Sequence, residues 1–115
     1  MLTIRAQQMA FFESSFADTR DQLLAEYGRT RFPSRFDSRT PEQMTRFCGA
    51  TRALAAQLGV EAESDVATVL DLIVMYGPRF HELQWTADVF GVAAWSGAEK
   101  MNEIRRRVRR TVPDF

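Results

Sequence analysis

Apolar residues recur at helical spacing along most of the chain. Met9, Phe12, Phe16, Leu23 and Tyr27 fall near one stripe, interrupted by Arg20, while Gln7, Gln8, Glu13, Ser14, Asp18, Asp21, Gln22 and Glu26 occupy the other faces. This spacing predicts a long amphipathic helix over about residues 4–28, with Thr3 as N-cap and Gly28, then Pro33, as its stop. Residues 29–40 read as a loop, because Pro33 blocks helix continuation and Ser, Asp and Thr favour turns. Phe32 and Phe36 within it are expected to tack the loop onto a core.

The next start signal is strong. Thr40-Pro41-Glu42-Gln43 supplies a cap, a first-turn proline and a Gln placed to bond back. Met44, Phe47, Cys48, Thr51, Leu54, Ala55 and Leu58 follow as a broad apolar face, and Gly59-Val60 reads as a helix end with its apolar latch, giving a helix over about 41–58. Ser64-Asp65 is expected to start a third helix, in which Val66, Val69, Leu70, Leu72, Ile73, Val74 and Met75 are apolar almost all round. Such a helix, at about 65–76, is expected at the centre of the fold, ended by Gly77-Pro78. Its β-branched run could also suit a strand, but the preceding cap, the unbroken length and the lack of a strand partner favour helix. Asp71 inside the run should find a hydrogen-bond donor or face an edge. Residues 79–84 read as a loop, and Trp85 to about Ala94 as a short helix weakened by Gly91. Ser96-Gly97-Ala98-Glu99 is a capping box opening a last helix to about Arg110, with Met101, Ile104 and Val108 as its apolar line and Pro113 beyond it.

These elements define an all-α fold, a compact bundle of four to five helices in a single domain over residues 1–115. Composition agrees: 115 residues, 45% hydrophobic, 26% charged, with a formal net charge of zero, fit a globular chain rather than a disordered one. A single cysteine permits no intramolecular disulfide and no Cys-rich zinc site. No apolar run reaches the roughly 20 residues a bilayer requires, and the opening residues lack a secretory signature. The expected setting is therefore cytoplasmic, without membrane, metal or cofactor.

Candidate chemistry is sparse. The chain has one histidine, His81, beside Glu82, and a nucleophile would have to come from Cys48 or a serine. Cys48 lies on an apolar stripe, where a thiol acts as a small hydrophobe. No carboxylates form a close pair with apolar flanks, and Glu61, Glu63 and Asp65 read as an acidic first helical turn rather than a calcium loop. No glycine-rich phosphate loop is present. The expectation is a protein that is not an enzyme.

Two surface features remain. Residues 99–115 carry six basic side chains, Lys100, Arg105, Arg106, Arg107, Arg109 and Arg110, against Glu99, Glu103 and Asp114. An arginine-rich helix could track phosphates, but no aromatics alternate with these arginines and the rest of the chain balances their charge, which favours a solvated or ion-paired face over nucleic acid. Large rings are also plentiful. The simplest reading puts Phe12, Phe47 and Trp85 in the core, whereas Phe11 points about 100° away from Phe12, and Trp95 precedes a cap as a possible staple. The candidate partner-binding set is Phe11, Arg79, Phe80, Trp85, Phe90, Trp95, Arg105, Arg106 and Arg109.

Several segments carry a family resemblance. They are Met-Leu-Thr-Ile-Arg-Ala-Gln-Gln-Met at residues 1–9, Phe32-Pro33, Arg52-Ala53, Leu58-Gly59-Val60-Glu61, Ser64-Asp65-Val66-Ala67, Leu70-Asp71-Leu72, Gly77-Pro78-Arg79-Phe80 and Glu99-Lys100-Met101. Together they resemble small all-helical bacterial proteins encoded beside type VI secretion spike, PAAR-tip and toxin-effector genes. The chain departs from the expected pattern at Arg79, where an acidic residue would follow Gly-Pro. The resemblance implies an accessory or co-chaperone role in loading an effector onto the spike, with an effector toxin, an adaptor-chaperone or a spike/PAAR protein as partner. It brings no catalytic residues. An immunity protein neutralising a toxin, a nucleic-acid binder acting through Arg105 to Arg110, an enzyme using Cys48 or His81, and self-association remain open alternatives.

Overall fold

The computed structural model describes residues 20–115. Phe11, Phe12, Phe16 and the expected Thr3 cap therefore lie outside the described residues. Among those described, the chain is all-helical with no strand. Its contacts gather into two units, Met1–Gly49 and Ala50–Phe115, described in turn.

In the first unit, helix α1 covers described residues 20–31. It runs past Gly28, which was expected to end it. A glycine stop needs a left-handed φ, and among the described residues only Gly59 and Gly77 adopt one. Gly28 instead stays helical, its carbonyl accepting from the Phe32 N–H at 2.8 Å. The expected loop is likewise corrected in part by a short helix, α2 (Pro33–Phe36), because the fixed φ of proline suits the first helical position. Phe36 is buried, as a ring anchoring this segment should be, and meets Phe47 edge-on with centroids 5.1 Å apart. The Arg39 guanidinium lies 5.5 Å from the first ring and 5.6 Å from the second. Among the described residues of this unit, Leu24, Met44 and Cys48 are the other buried apolar ones.

Helix α3 (Pro41–Gln57) begins with the expected reciprocal cap: the Gln43 N–H donates to Thr40 Oγ1 at 3.2 Å and the Thr40 N–H to Gln43 Oε1 at 2.9 Å. The boundary between units falls within this helix.

In the second unit, α3 ends in a Schellman turn. The Val60 N–H donates to the Ala55 carbonyl at 2.8 Å and Gly59 N–H to Ala56 at 3.1 Å, with Gly59 at φ +74° and Val60 buried as the latch. Helix α4 (Glu63–Tyr76) starts one turn position earlier than Ser64-Asp65 suggests. Ala62 caps it without a side-chain bond, and the acids Glu63 and Asp65 offset the helix dipole there. Val66, Val69, Leu70 and Leu72 are buried, so the β-branched run is the buried helix anticipated from the sequence. Burial fades toward Tyr76, which is 36% exposed.

Gly77, at φ +97°, ends α4. A 3-10 turn over Phe80–Glu82 and helix α5 (Gln84–Phe90) follow, where a loop and a longer helix were expected. Thr86 explains the join: its hydroxyl is buried and bonds the carbonyls of both Phe80 and Leu83. Helix α6 (Gly97–Val108) opens on the Ser96–Glu99 capping box and buries Met101, Ile104 and Val108. It packs on α4 and α5, which places its C-terminal turn beside the ends of both.

Candidate binding site

At that end of the second unit lies an open groove of about 430 Å³, lined by Tyr76, Trp85, Arg107, Val108, Arg110 and Thr111. Each position follows from a local stop. Tyr76 is the last residue of α4, set by Gly77; Trp85 sits in the first turn of α5; Arg107 and Val108 close α6, and Arg110 and Thr111 lie in the turns beyond it. The Tyr76 and Trp85 rings meet edge-on, 5.8 Å apart and 77° between planes. Val108 is buried beneath the groove.

Polar contacts fix the basic wall. Arg107 donates from Nη1 to the Trp85 carbonyl at 3.0 Å and from Nε to Glu103 Oε1 at 3.1 Å. Arg106 also donates to Glu103, from Nε at 2.8 Å. Hydrogen bonds from Arg106 and Arg107 together pull the Glu103 carboxyl from an ordinary 4.5 down to about 2. One carboxylate thus balances one of two guanidiniums. Arg110 is exposed and pairs with no acid among the described residues.

The sequence-expected residues separate accordingly. Trp85 lines the groove, half-buried. Phe80 is wholly buried and is corrected to a core residue; its ring packs edge-on to Phe90, 6.3 Å away, with Phe90 half-buried. Arg79 is exposed and bound to Glu82, which lowers the Glu82 pKa and raises its own. Trp95 stands 37% exposed. Arg105 is corrected to an internal tie, held by Asp65 and Thr68. Arg106 pairs with Glu103, and Arg109 donates from Nε to the Phe115 carbonyl at 2.9 Å. Phe11 lies outside the described residues.

Tyr76 and Thr111 were missed as site residues, and Arg107 and Arg110 were expected only as part of the Arg105 to Arg110 basic run, not beside Trp85. For Tyr76 a signal existed: a tyrosine at the last turn of a buried helix must send its hydroxyl out to a polar neighbour or to water. Cys48 is wholly buried, and among the described residues no group of three or more His, Cys, Asp and Glu is placed to hold a metal ion. Among those residues, too, no helix is long and apolar enough to cross a membrane. No family model, curated protein or solved structure matches this chain.

Proposed function

We propose that this protein is a non-enzymatic, protein-binding accessory protein of the cytoplasm, an adaptor or co-chaperone that helps load a type VI secretion effector onto its spike. The observation that carries the binding role is the groove, where two large rings and an arginine with no acidic partner among the described residues stand at the surface. Aromatic and arginine side chains dominate the binding energy of protein interfaces, the rings because they bury large areas at low entropic cost and arginine because its planar fork of donors matches a carboxylate. The assignment to effector delivery rests on the segmental resemblance, from Leu58-Gly59-Val60-Glu61 to Gly77-Pro78-Arg79-Phe80.

The test is genetic and biochemical. Deleting the gene from its native host should abolish export of one effector while the spike still assembles, and the tagged protein should co-purify with that effector, its adaptor-chaperone or the spike tip. Unchanged export, with the protein recovered alone, rejects the proposal. Death of the deletion strain or its sisters, cured by removing a neighbouring toxin gene, makes it an immunity protein instead.

A further inference from the structure

We propose that the Tyr76–Trp85 groove receives an acidic peptide segment, with one large apolar side chain seated against the two rings and an adjacent carboxylate on Arg110. This deepens the protein-binding role and rests on it. Three observations carry it. At about 430 Å³ the groove lies near the lower end of the range for ligand sites, roughly 300–1,000 Å³, suiting one or two side chains rather than a whole helix. Its floor is apolar, from Tyr76, Trp85 and Val108. Its wall is cationic, with Arg110 unpaired among the described residues and Glu103 shared between Arg106 and Arg107.

Charge complementarity selects the occupant. An arginine with no acidic partner among the described residues gains most from a carboxylate, through a planar two-bond contact. Arg107 adds a second guanidinium already immobilised by Glu103 and the Trp85 carbonyl, so little entropy is lost in using its remaining donors. The C-terminal partial charge of α6 opposes an anion here, but it is the smaller effect. It amounts to about half a charge, spread over carbonyls, and the Val108 carbonyl already accepts from Val112 N–H at 2.8 Å.

A nucleic-acid strand shares the aromatic and cationic chemistry but fits less well. Stacking of successive bases needs exposed, roughly parallel ring faces along a basic track, whereas these two rings stand 77° apart, the edge of one against the face of the other. The chain also has a formal net charge of zero and a pI near 6.6, so it lacks the long-range field that draws a polyanion.

The experiment is selection of a random dodecapeptide library on the immobilised full-length protein. Peptides that emerge are then synthesised and titrated in a Trp95→Phe background, where Trp85 is the one remaining tryptophan and its emission reports occupancy. Enrichment of Asp or Glu next to Phe, Trp or Leu is expected, with binding that shifts Trp85 emission and weakens with salt. Arg110→Glu and Tyr76→Ala should each weaken it by roughly tenfold or more, the loss of one charge-assisted pair or one ring contact. Both positions are surface-exposed, and thermal melting verifies that the variants fold.

Failure to enrich peptides, a basic consensus, or equal binding to both variants overturns the groove assignment. Tighter binding of an oligothymidylate that is lost in Arg110→Glu overturns it in favour of nucleic acid. Peptides that bind elsewhere on the protein leave the protein-binding role standing while the groove falls. Loss of effector export in the deletion strain tests that role separately.

Discussion

The guanidinium of Arg105 on α6 ties down Asp65 on α4, donating through Nη2 to the Asp65 carboxylate and, at 2.9 Å, to Thr68 Oγ1. The Thr68 hydroxyl in turn donates to the Ser64 carbonyl at 3.1 Å, and Asn102 Oδ1 accepts from Arg105 Nη1 at 3.2 Å. Asp65 is only 6% exposed. A carboxylate so poorly hydrated depends on its cation, so removing the arginine costs more than the pair contributes relative to an apolar replacement.

Arg105→Ala should therefore lower the unfolding free energy by about 2–4 kcal/mol, measured by urea denaturation. Converting both partners, Arg105→Met with Asp65→Leu, should recover most of that loss, because no charge is then stranded. A single variant as stable as the parent would show the tie to be dispensable.

Three glycines separate three physical causes. A Cβ on Gly97 would lie 2.0 Å from the Gly59 carbonyl oxygen, so Gly97→Ala forces backbone apart and should cost about 1–3 kcal/mol. Gly59 has open space around it but sits at φ +74°, so Gly59→Ala should cost about 1 kcal/mol from conformation alone. Gly49 lies mid-helix with nothing near its Cβ position, and Gly49→Ala should stabilise by about 0.5–1 kcal/mol. Melting temperatures of the three variants check both order and sign, and an unperturbed Gly97→Ala would contradict the close approach of these turns.

The same glycines mark what could be read in advance. Thr40-Pro41, Ser96-Gly97-Ala98-Glu99 and Gly59-Val60 each set a boundary through bonds made within six residues, so sequence spacing sufficed to place α3 and α6 to within two residues. Gly28 could not be read that way, because whether a glycine takes a left-handed φ depends on the chain after it. Here Pro33 opens a second helical turn, and α1 continues to residue 31. The all-helical class and the buried α4 were legible because apolar periodicity is local. The groove was not. It joins Tyr76 of α4, Trp85 of α5 and Arg110 in the turn after α6, and that juxtaposition exists only once α6 packs beside α4 and α5.

Aromatic rings provide a direct measure of core against surface. Phe80 is wholly buried, packs edge-on to Phe90 and has its carbonyl held by the Thr86 hydroxyl, so Phe80→Ala should cost about 3–5 kcal/mol through lost burial and the cavity left behind. Trp95, at 37% exposed, should lose about 1 kcal/mol or less as Ala. Denaturant midpoints decide between them, and equal losses would place Trp95 in the core.

Glu103 supplies the pH prediction. Its carboxyl titrates at about 2 in the folded chain against an ordinary 4.5, because Arg106 and Arg107 both donate to the charged form. A depressed folded pKa makes a contribution to stability that is complete above about pH 4.5 and disappears as pH falls through about 2. Carbon-detected NMR titration should find the Glu103 midpoint near 2, and Glu103→Gln should flatten the fall in stability between pH 4.5 and 2. The consequence reaches the groove, since Glu103 steadies Arg107 against the Trp85 carbonyl. Glu103→Gln should leave Arg107 less ordered and weaken capture of an acidic peptide at neutral pH, although it removes a negative charge and so raises the local positive potential. Tighter binding in that variant would mean that net charge outweighs the positioning of Arg107, and the steadying role of Glu103 would have to be abandoned.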